Sequence, residues 1–192
     1  WPALWLPEHG AAVVIDLLSD PVLHVATSLG LGLLFGAAGV HKLRDRAGFA
    51  VVLQSYVAVG LEKPLSVCIP LLELLCALAL QLPALRSAAA LLAAALLAVY
   101  AAVMAASLLQ GRRIADCGCQ FGKQPLAVSA PLVWRNLLLM LLALALLLPA
   151  GDRALGLYDG LVISLALLMG GTFYFLANTL IANRNSAREL SL

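Results

Sequence analysis

Five apolar runs of about membrane-spanning length constrain what this chain can fold into. Charged or turn-rich stretches separate them, and they cover residues 22–41, 64–82, 87–109, 131–149 and 157–181. About 20 consecutive apolar residues cross a bilayer as a helix, which pairs its backbone polar groups internally. The 192 residues are 63% hydrophobic and 11% charged, whereas soluble domains average about 25% charged residues. The sequence therefore predicts an all-α, polytopic membrane helix bundle.

The apolar runs divide the chain into three parts. Residues 1–20 contain two tryptophans, which prefer the headgroup region, so we predict an interfacial N-terminal segment. Residues 21–150 form a predicted four-helix core. Within it, apolar residues recur at three- and four-residue steps over 46–58, which indicates a short amphipathic surface helix. Residues 151–192 hold a fifth transmembrane helix and a polar tail.

Lysine and arginine residues are concentrated on one side of the predicted bundle. That side carries Lys42, Arg44, Arg46, Lys63, Arg112, Arg113, Lys123, Arg184 and Arg188. The other side has only Arg86 and Arg153. The positive-inside rule then places the N-terminus outside, with the 110–130 loop and the C-terminus in the cytoplasm. The formal charge of +2 and the lack of a basic cluster interleaved with aromatics argue against a nucleic-acid partner.

The loop at residues 110–130 carries the densest set of reactive residues, Asp116-Cys117-Gly118-Cys119. Gly118 frees the backbone between the two cysteines, as closure of such a small ring requires. A disulfide in so tight a ring is strained, and a strained disulfide is better suited to thiol–disulfide exchange than to a permanent structural crosslink. Nearby cations favour the thiolate, while Asp116 opposes it. The alternative is an inert pair of loop cysteines.

Two further cysteines lie in the second apolar run. Cys68 and Cys76 are eight residues apart, about 80° in azimuth and about 12 Å in height on a helix, so they cannot bridge each other. Cys76 is expected to be a buried apolar side chain. Cys68 lies on the side of the 110–130 loop and is a candidate resolving thiol. A metal site would need Cys68 and His41 with the loop cysteines, and we predict none.

Glu73 is the clearest charge within an apolar run. A carboxylate at that depth is costly and usually faces a partner or a polar cavity. Lys42 and Arg135 are its candidate partners, and Arg135-Asn136 opens the fourth run. The alternatives are a structural ion pair or a protonated carboxyl for Glu73, and an ordinary snorkelling cation for Arg135. No cofactor is firmly implied. Quinone binding stays open, because pockets between helices leave no fixed motif.

With these residues assembled, residues 22–150 resemble the MauE family, within the wider DoxX-like group of small membrane proteins. The resemblance rests on Gly39-Val40-His41-Lys42, Phe49 to Tyr56, Pro70-Leu71-Leu72-Glu73, Asp116-Cys117-Gly118-Cys119 with Phe121-Gly122, and Val133-Trp134-Arg135-Asn136-Leu137-Leu138. One departure is Gln120, which separates Cys119 from Phe121-Gly122, where the family commonly reads Cys-Gly-Cys-Phe-Gly directly.

The resemblance implies a role in making methylamine dehydrogenase. Its exported small subunit carries many disulfides and a tryptophan-derived quinone, and it fails to accumulate without such a helper. A thioredoxin-like partner, MauD, is implied alongside. We therefore interpret the chain as an integral thiol–disulfide factor of the bacterial inner membrane that contacts the lipid bilayer, this partner and an exported client. Its exchanging thiols would be Cys117, Cys119 and Cys68, and its supporting polar cluster Lys42, Glu73, Asp116, Arg135 and Asn136.

This interpretation leaves a conflict of sidedness. The implied client matures outside, whereas the charge distribution places the loop cysteines inside. Either the protein relays electrons across the membrane, with Cys68 and Cys76 as intermediates, or the charge rule fails here. The alternative function is a non-catalytic accessory or assembly subunit of a larger membrane complex, whose cysteines bind a metal or have no chemical role.

Overall fold

The computed structural model describes residue 13, residues 17–110 and residues 129–189, with side chains as far as residue 183. Within these ranges the regular structure is helical and contains no strand, which confirms the all-α prediction. The helices are α1 (Pro21–Arg44), α2 (Arg46–Gln54), α3 (Glu62–Ala79), α4 (Arg86–Leu109), α5 (Ala130–Ala145) and α6 (Leu157–Glu189).

Two aspartates set the limits of the first two helices. The Asp20 carboxylate accepts a 2.7 Å hydrogen bond from the backbone N–H of Val22, and Pro21 occupies the first turn of α1. Asp45 ends α1 and starts α2, because its carboxylate accepts from the N–H of Gly48 at 3.0 Å. The predicted short helix is therefore present, but it ends at Gln54, four residues before the expected limit of 58, and its position at the membrane surface stays a prediction.

Close packing between α1 and α3 depends on small residues of α1. Gly32 and Gly36 face Ala77 of α3, as their small-xxx-small spacing indicates. Gly39 makes the tightest approach to α3 backbone, since a Cβ placed there would lie 2.9 Å from the carbonyl oxygen of Pro70. Any larger residue at position 39 would push the two helices apart.

The hydrophobic core lies between α1, α3, α4 and α5. Phe35, Leu80 and Leu97 are almost fully buried there. The side of α4 that faces the core is made largely of alanines, which allow the neighbouring helices to approach closely. Consecutive helices of this group are antiparallel, because Lys42 meets Glu73, Cys76 meets Ala89, and Met104 lies near Leu132.

Three helices in the described part of the chain are long and apolar enough to cross a membrane: α1, α4 and residues 157–183 of α6. Helix α3 has 18 residues, about 27 Å, and includes Glu62, Lys63 and Glu73. Helix α5 has 16 residues, about 24 Å. The molecule is thus a helical membrane bundle, and the spanning of α3 and α5 stays a prediction.

Several predicted span limits need correction. The first run was expected to end at 41 and the second at 82, but α1 continues to Arg44 and α3 ends at Ala79. The fourth run was expected to be helical to residue 149, but α5 ends at Ala145, because Pro149 has no N–H to donate to the Ala145 carbonyl and its ring would clash with that carbonyl in a continued helix. The fifth was expected to end at 181, but α6 continues through polar residues to Glu189. The extension contains neither Gly nor Pro, and it includes Ala, Arg and Glu, which favour helix.

The antiparallel arrangement creates two ends, which we call the loop end and the far end. The loop end contains Arg44, Glu62, Leu109 and Ala130, where the 111–128 segment joins α4 to α5. The far end contains the first residues of α1, α4 and α6. Helix α6 runs parallel to α1, since Arg153 just before it lies beside Asp20 at the start of α1.

Candidate functional site

The most buried charges of the described chain form an ion pair between α1 and α3. The Lys42 ammonium, in the last turn of α1, contacts the Oε1 atom of Glu73 in the middle of α3. Their side chains are 3% and 1% exposed. The expected contact of Glu73 with a candidate partner is therefore present, and Lys42 is that partner. The functional role of the pair stays a prediction.

Tyr100 of α4 is the third member of this cluster. Its hydroxyl donates a 2.6 Å hydrogen bond to Glu73 Oε1 and accepts a 3.2 Å bond from Lys42 Nζ. The ammonium also lies 4.8 Å from the centre of the Tyr100 ring and 5.3 Å from that of Phe49 in α2. Such added contacts offset the cost of removing two charges from water. Sequence reasoning missed Tyr100, although a hydroxyl within an apolar run is a signal that could have found it.

Arg135 and Asn136 lie at the start of α5 and make contacts different from those of Glu73. Arg135 donates a 2.7 Å hydrogen bond to the side-chain oxygen of Asn178 in α6, and its guanidinium lies 5.2 Å from the Tyr174 ring centre. Asn136 is buried and donates to the carbonyl of Leu132 at 3.1 Å. Arg135 is thus bonded within the bundle, where it joins α5 to α6, rather than extended as a snorkelling cation.

A cavity of about 20 Å³ connects these groups. Its polar lining comes from Lys42, Glu73, Tyr100, Arg135, Asn136 and Tyr174. The bundle therefore brings four of the predicted site residues to one place, even though they come from three different helices. Quinone binding, which the sequence leaves open, stays a hypothesis.

The thiols of α3 have different surroundings. Cys68 is exposed and lies six residues after the start of α3, at the loop end. Cys76 is fully buried, and its Sγ lies 3.5 Å from the carbonyl oxygen of Ala89. Both are free thiols. Cys76 is therefore a packed core side chain, as expected, and its burial argues against the version of the electron relay that passes through it.

The remaining predicted site residues, Asp116, Cys117 and Cys119, lie outside the described residues. Their segment is attached at Gln110 and Ser129, which belong to the same end of the bundle as Cys68. Among residues 17–110 and 129–183, no group of three or more His, Cys, Asp or Glu side chains could hold a metal ion.

Comparisons with known proteins agree on one family. Residues 20–149 match the family model described as "Methylamine utilisation protein MauE". The chain is 38% identical to the methylamine utilization protein MauE of Paracoccus denitrificans, over 81% of this chain and 91% of that protein. It is 32% identical to the MauE protein of Methylorubrum extorquens, over 74% and 78% of the two chains. No solved structure matches. The chain belongs to the MauE family of membrane proteins, whose members are described as methylamine utilisation proteins.

Proposed function

We propose that this protein is a thiol–disulfide factor of methylamine utilisation. It would assist maturation of an exported, disulfide-rich client such as the small subunit of methylamine dehydrogenase, together with a thioredoxin-like partner resembling MauD. One observation carries the proposal. The exposed thiol of Cys68 lies at the end of the bundle where the segment with Cys117 and Cys119 is attached. Cys68 and the two attachment points of that segment, Gln110 and Ser129, thus belong to one end, while Cys76 is buried.

The proposed chemistry is a two-step exchange. The thiolate of Cys117 or Cys119 attacks a disulfide sulfur of the partner, which forms a mixed disulfide and releases one partner thiolate. The second loop thiol then attacks the mixed bond, so that Cys117 and Cys119 become a disulfide and the partner becomes a dithiol. Protons lost by the two attacking thiols balance those gained by the partner sulfurs. Cys68 is an alternative resolving thiol for either intermediate.

The Lys42–Glu73–Tyr100 cluster would position this chemistry rather than perform it. It connects α1, α3 and α4 in the half of the bundle nearer the loop end. A fixed bundle end keeps Cys68 and the loop attachments at constant separations, and orientation of reacting groups contributes to the rate of exchange. We expect loss of the cluster to reduce client maturation through misplacement of the thiols.

In this proposal, the distribution of lysine and arginine residues decides on which side of the membrane the exchange takes place. The loop end carries Arg44, Arg46 and Lys63 on described residues, so the positive-inside rule places it in the cytoplasm of the inner membrane. Labelling of Cys117 and Cys119 with an impermeant maleimide from each side of sealed membrane vesicles tests this orientation. Labelling from the periplasmic side alone would reverse it, and would remove the need for electrons to cross the membrane.

The function is tested with a Cys117→Ser/Cys119→Ser variant in a strain grown on another carbon source in the presence of methylamine. We expect the bundle to fold and the client to fail to accumulate. A Cys119→Ser or Cys117→Ser variant that also carries Cys68→Ser should trap the partner as a reducible band on a non-reducing gel, because the remaining loop thiol then has no second thiol to resolve the mixed disulfide. The matched control is Cys76→Ala, which removes a thiol of the core and should leave client levels unchanged. Normal client levels in the double variant would favour an accessory or assembly subunit instead.

A further inference from the structure

We propose that the cavity beside Glu73 is a hydration site, whose water molecule joins the Glu73 carboxylate to the Arg135 guanidinium. The ligand is water, held as a structural part of the protein. The inference goes beyond the thiol chemistry and does not depend on it.

The first observation concerns the two oxygens of Glu73. Oε1 receives hydrogen bonds from both Lys42 and Tyr100. Oε2 is buried and has no hydrogen-bond partner among the residues that the structure describes. A buried carboxylate oxygen without a donor bears the full cost of its desolvation, so such atoms nearly always have a partner from protein or ordered water.

The second observation concerns Arg135. One terminal nitrogen donates to Asn178, whereas the Nε–H group is buried and lacks an acceptor within the described part of the chain. The unpaired atom on α5 is thus a donor, and the unpaired atom on α3 is an acceptor. A water molecule can satisfy both, since it accepts from one group and donates to another.

The third observation is the space that these residues share. Glu73 and Arg135 both line the cavity of about 20 Å³, and one water molecule needs about 10–15 Å³. An apolar occupant would leave Glu73 Oε2 and the Arg135 Nε–H group without hydrogen-bond partners. An anion would lie against the Glu73 carboxylate. Water is the occupant that suits the chemistry on both sides.

This water would make Arg135 a second counter-ion of Glu73. It would connect α5, and through Asn178 also α6, to the ion pair that joins α1 and α3. Direct hydrogen bonds join Lys42, Glu73 and Tyr100 in one set and Arg135 and Asn178 in another. The water would link the two sets into one polar network that spans five helices.

A cavity-filling substitution tests the proposal on the purified full-length protein in detergent. Ala38 of α1 lines the cavity, and its neighbour Ala37 is exposed on the same helix turn. Filling a dry cavity stabilises a protein, whereas filling a hydrated polar one displaces its water and leaves the polar atoms that faced the water without a partner. We expect Ala38→Val to lower the midpoint of thermal unfolding by several degrees, while Ala37→Val leaves it unchanged.

Radiolytic hydroxyl labelling gives a second readout that needs no variant. Leu97 lines the cavity, while Leu80 has the same side chain, is also buried and does not line it. Ordered water beside Leu97 should produce several-fold more oxidation there than at Leu80, and Ala38→Val should abolish the difference. A rise in the unfolding midpoint for Ala38→Val, or equally low labelling of Leu97 and Leu80 in the wild type, would show a dry cavity and overturn the proposal. Neither measurement involves client maturation, so failure of the hydration proposal can be distinguished from failure of the proposed function.

Discussion

The two ends of the bundle each contain an ion pair that joins separate helices, but the pairs have opposite surroundings. In the half nearer the loop end, Lys42 and Glu73 are buried between α1 and α3. At the far end, the Arg153 guanidinium makes two 3.0 Å hydrogen bonds with the Asp159 carboxylate and lies 3.7 Å from Asp20. Arg153 is 51% exposed. Its hydrogen bonds to Asp159 raise the pKa of the guanidinium.

From this difference we expect burial, rather than the geometry of the pair, to decide what each ion pair contributes to stability. The far-end pair has two well-formed parallel hydrogen bonds, yet water and salt screen it. The buried pair loses its hydration on folding, and each charge then depends on the other. Removal of one partner at the buried site leaves an uncompensated charge, whereas removal at the exposed site returns a side chain to solvent.

The largest expected effect is removal of one charge of the buried pair. Glu73→Leu leaves the Lys42 ammonium without its carboxylate, so we expect a loss of about 3–5 kcal/mol in the free energy of unfolding. Denaturant titration in mixed micelles measures this loss. The double variant Lys42→Met/Glu73→Leu removes both charges and should recover most of the stability. If the double variant is as unstable as the single one, the cost arises from packing rather than from the unpaired charge.

A smaller effect is expected at the third member of the cluster. Tyr100→Phe keeps the ring but removes hydrogen bonds to both charged groups, which are worth about 1.5–3 kcal/mol when one partner is ionised. Tyr158→Phe is the matched control, because Tyr158 is exposed at the far end. Equal unfolding free energies for the two variants would mean that the Tyr100 hydroxyl does not support the ion pair.

The space around a glycine also differs between the two halves of the bundle. A Cβ added at Gly39 would lie 2.9 Å from the Pro70 carbonyl oxygen, whereas one added at Gly151 would lie 3.5 Å from that of Ser19, an ordinary contact. We expect Gly39→Ala to destabilise the protein by about 1–3 kcal/mol, as overpacking does, and Gly151→Ala to be neutral. Equal thermal midpoints for the two variants would show that α1 and α3 can separate without cost.

The smallest effect is predicted for the exposed pair. Arg153→Gln should leave the unfolding midpoint within error of the wild type, because solvent replaces the contacts with Asp159 and Asp20. The same measurement at low and high salt sharpens the comparison. Added salt should remove any residual difference at Arg153 and leave the loss in Glu73→Leu intact, because salt screens buried pairs much less. A large, salt-insensitive loss for Arg153→Gln would contradict the distinction drawn between the ends.

Several features could be predicted from the sequence because they depend on local periodicity and composition. The apolar runs predicted every main helix, and an intramembrane carboxylate at Glu73 indicated a nearby polar partner. The predictions were weakest at helix limits. Pro149 shortened α5, and polar residues that favour helix lengthened α6. Each effect acts over only a few residues and competes there with the apolar pattern.

Only the tertiary structure decided which side chains meet. Lys42 and Arg135 were equal candidates for Glu73, and the choice depends on how closely and at what depth α1 packs on α3, which Gly39 and Pro70 set. Tyr100 joins the pair from 58 residues beyond Lys42 in sequence. Arg135 bonds to α6 instead. The chain by itself determines that each helix forms and which residues are too polar for lipid. Their partners depend on the rotation and depth of neighbouring helices, which are properties of the packed bundle rather than of any single segment.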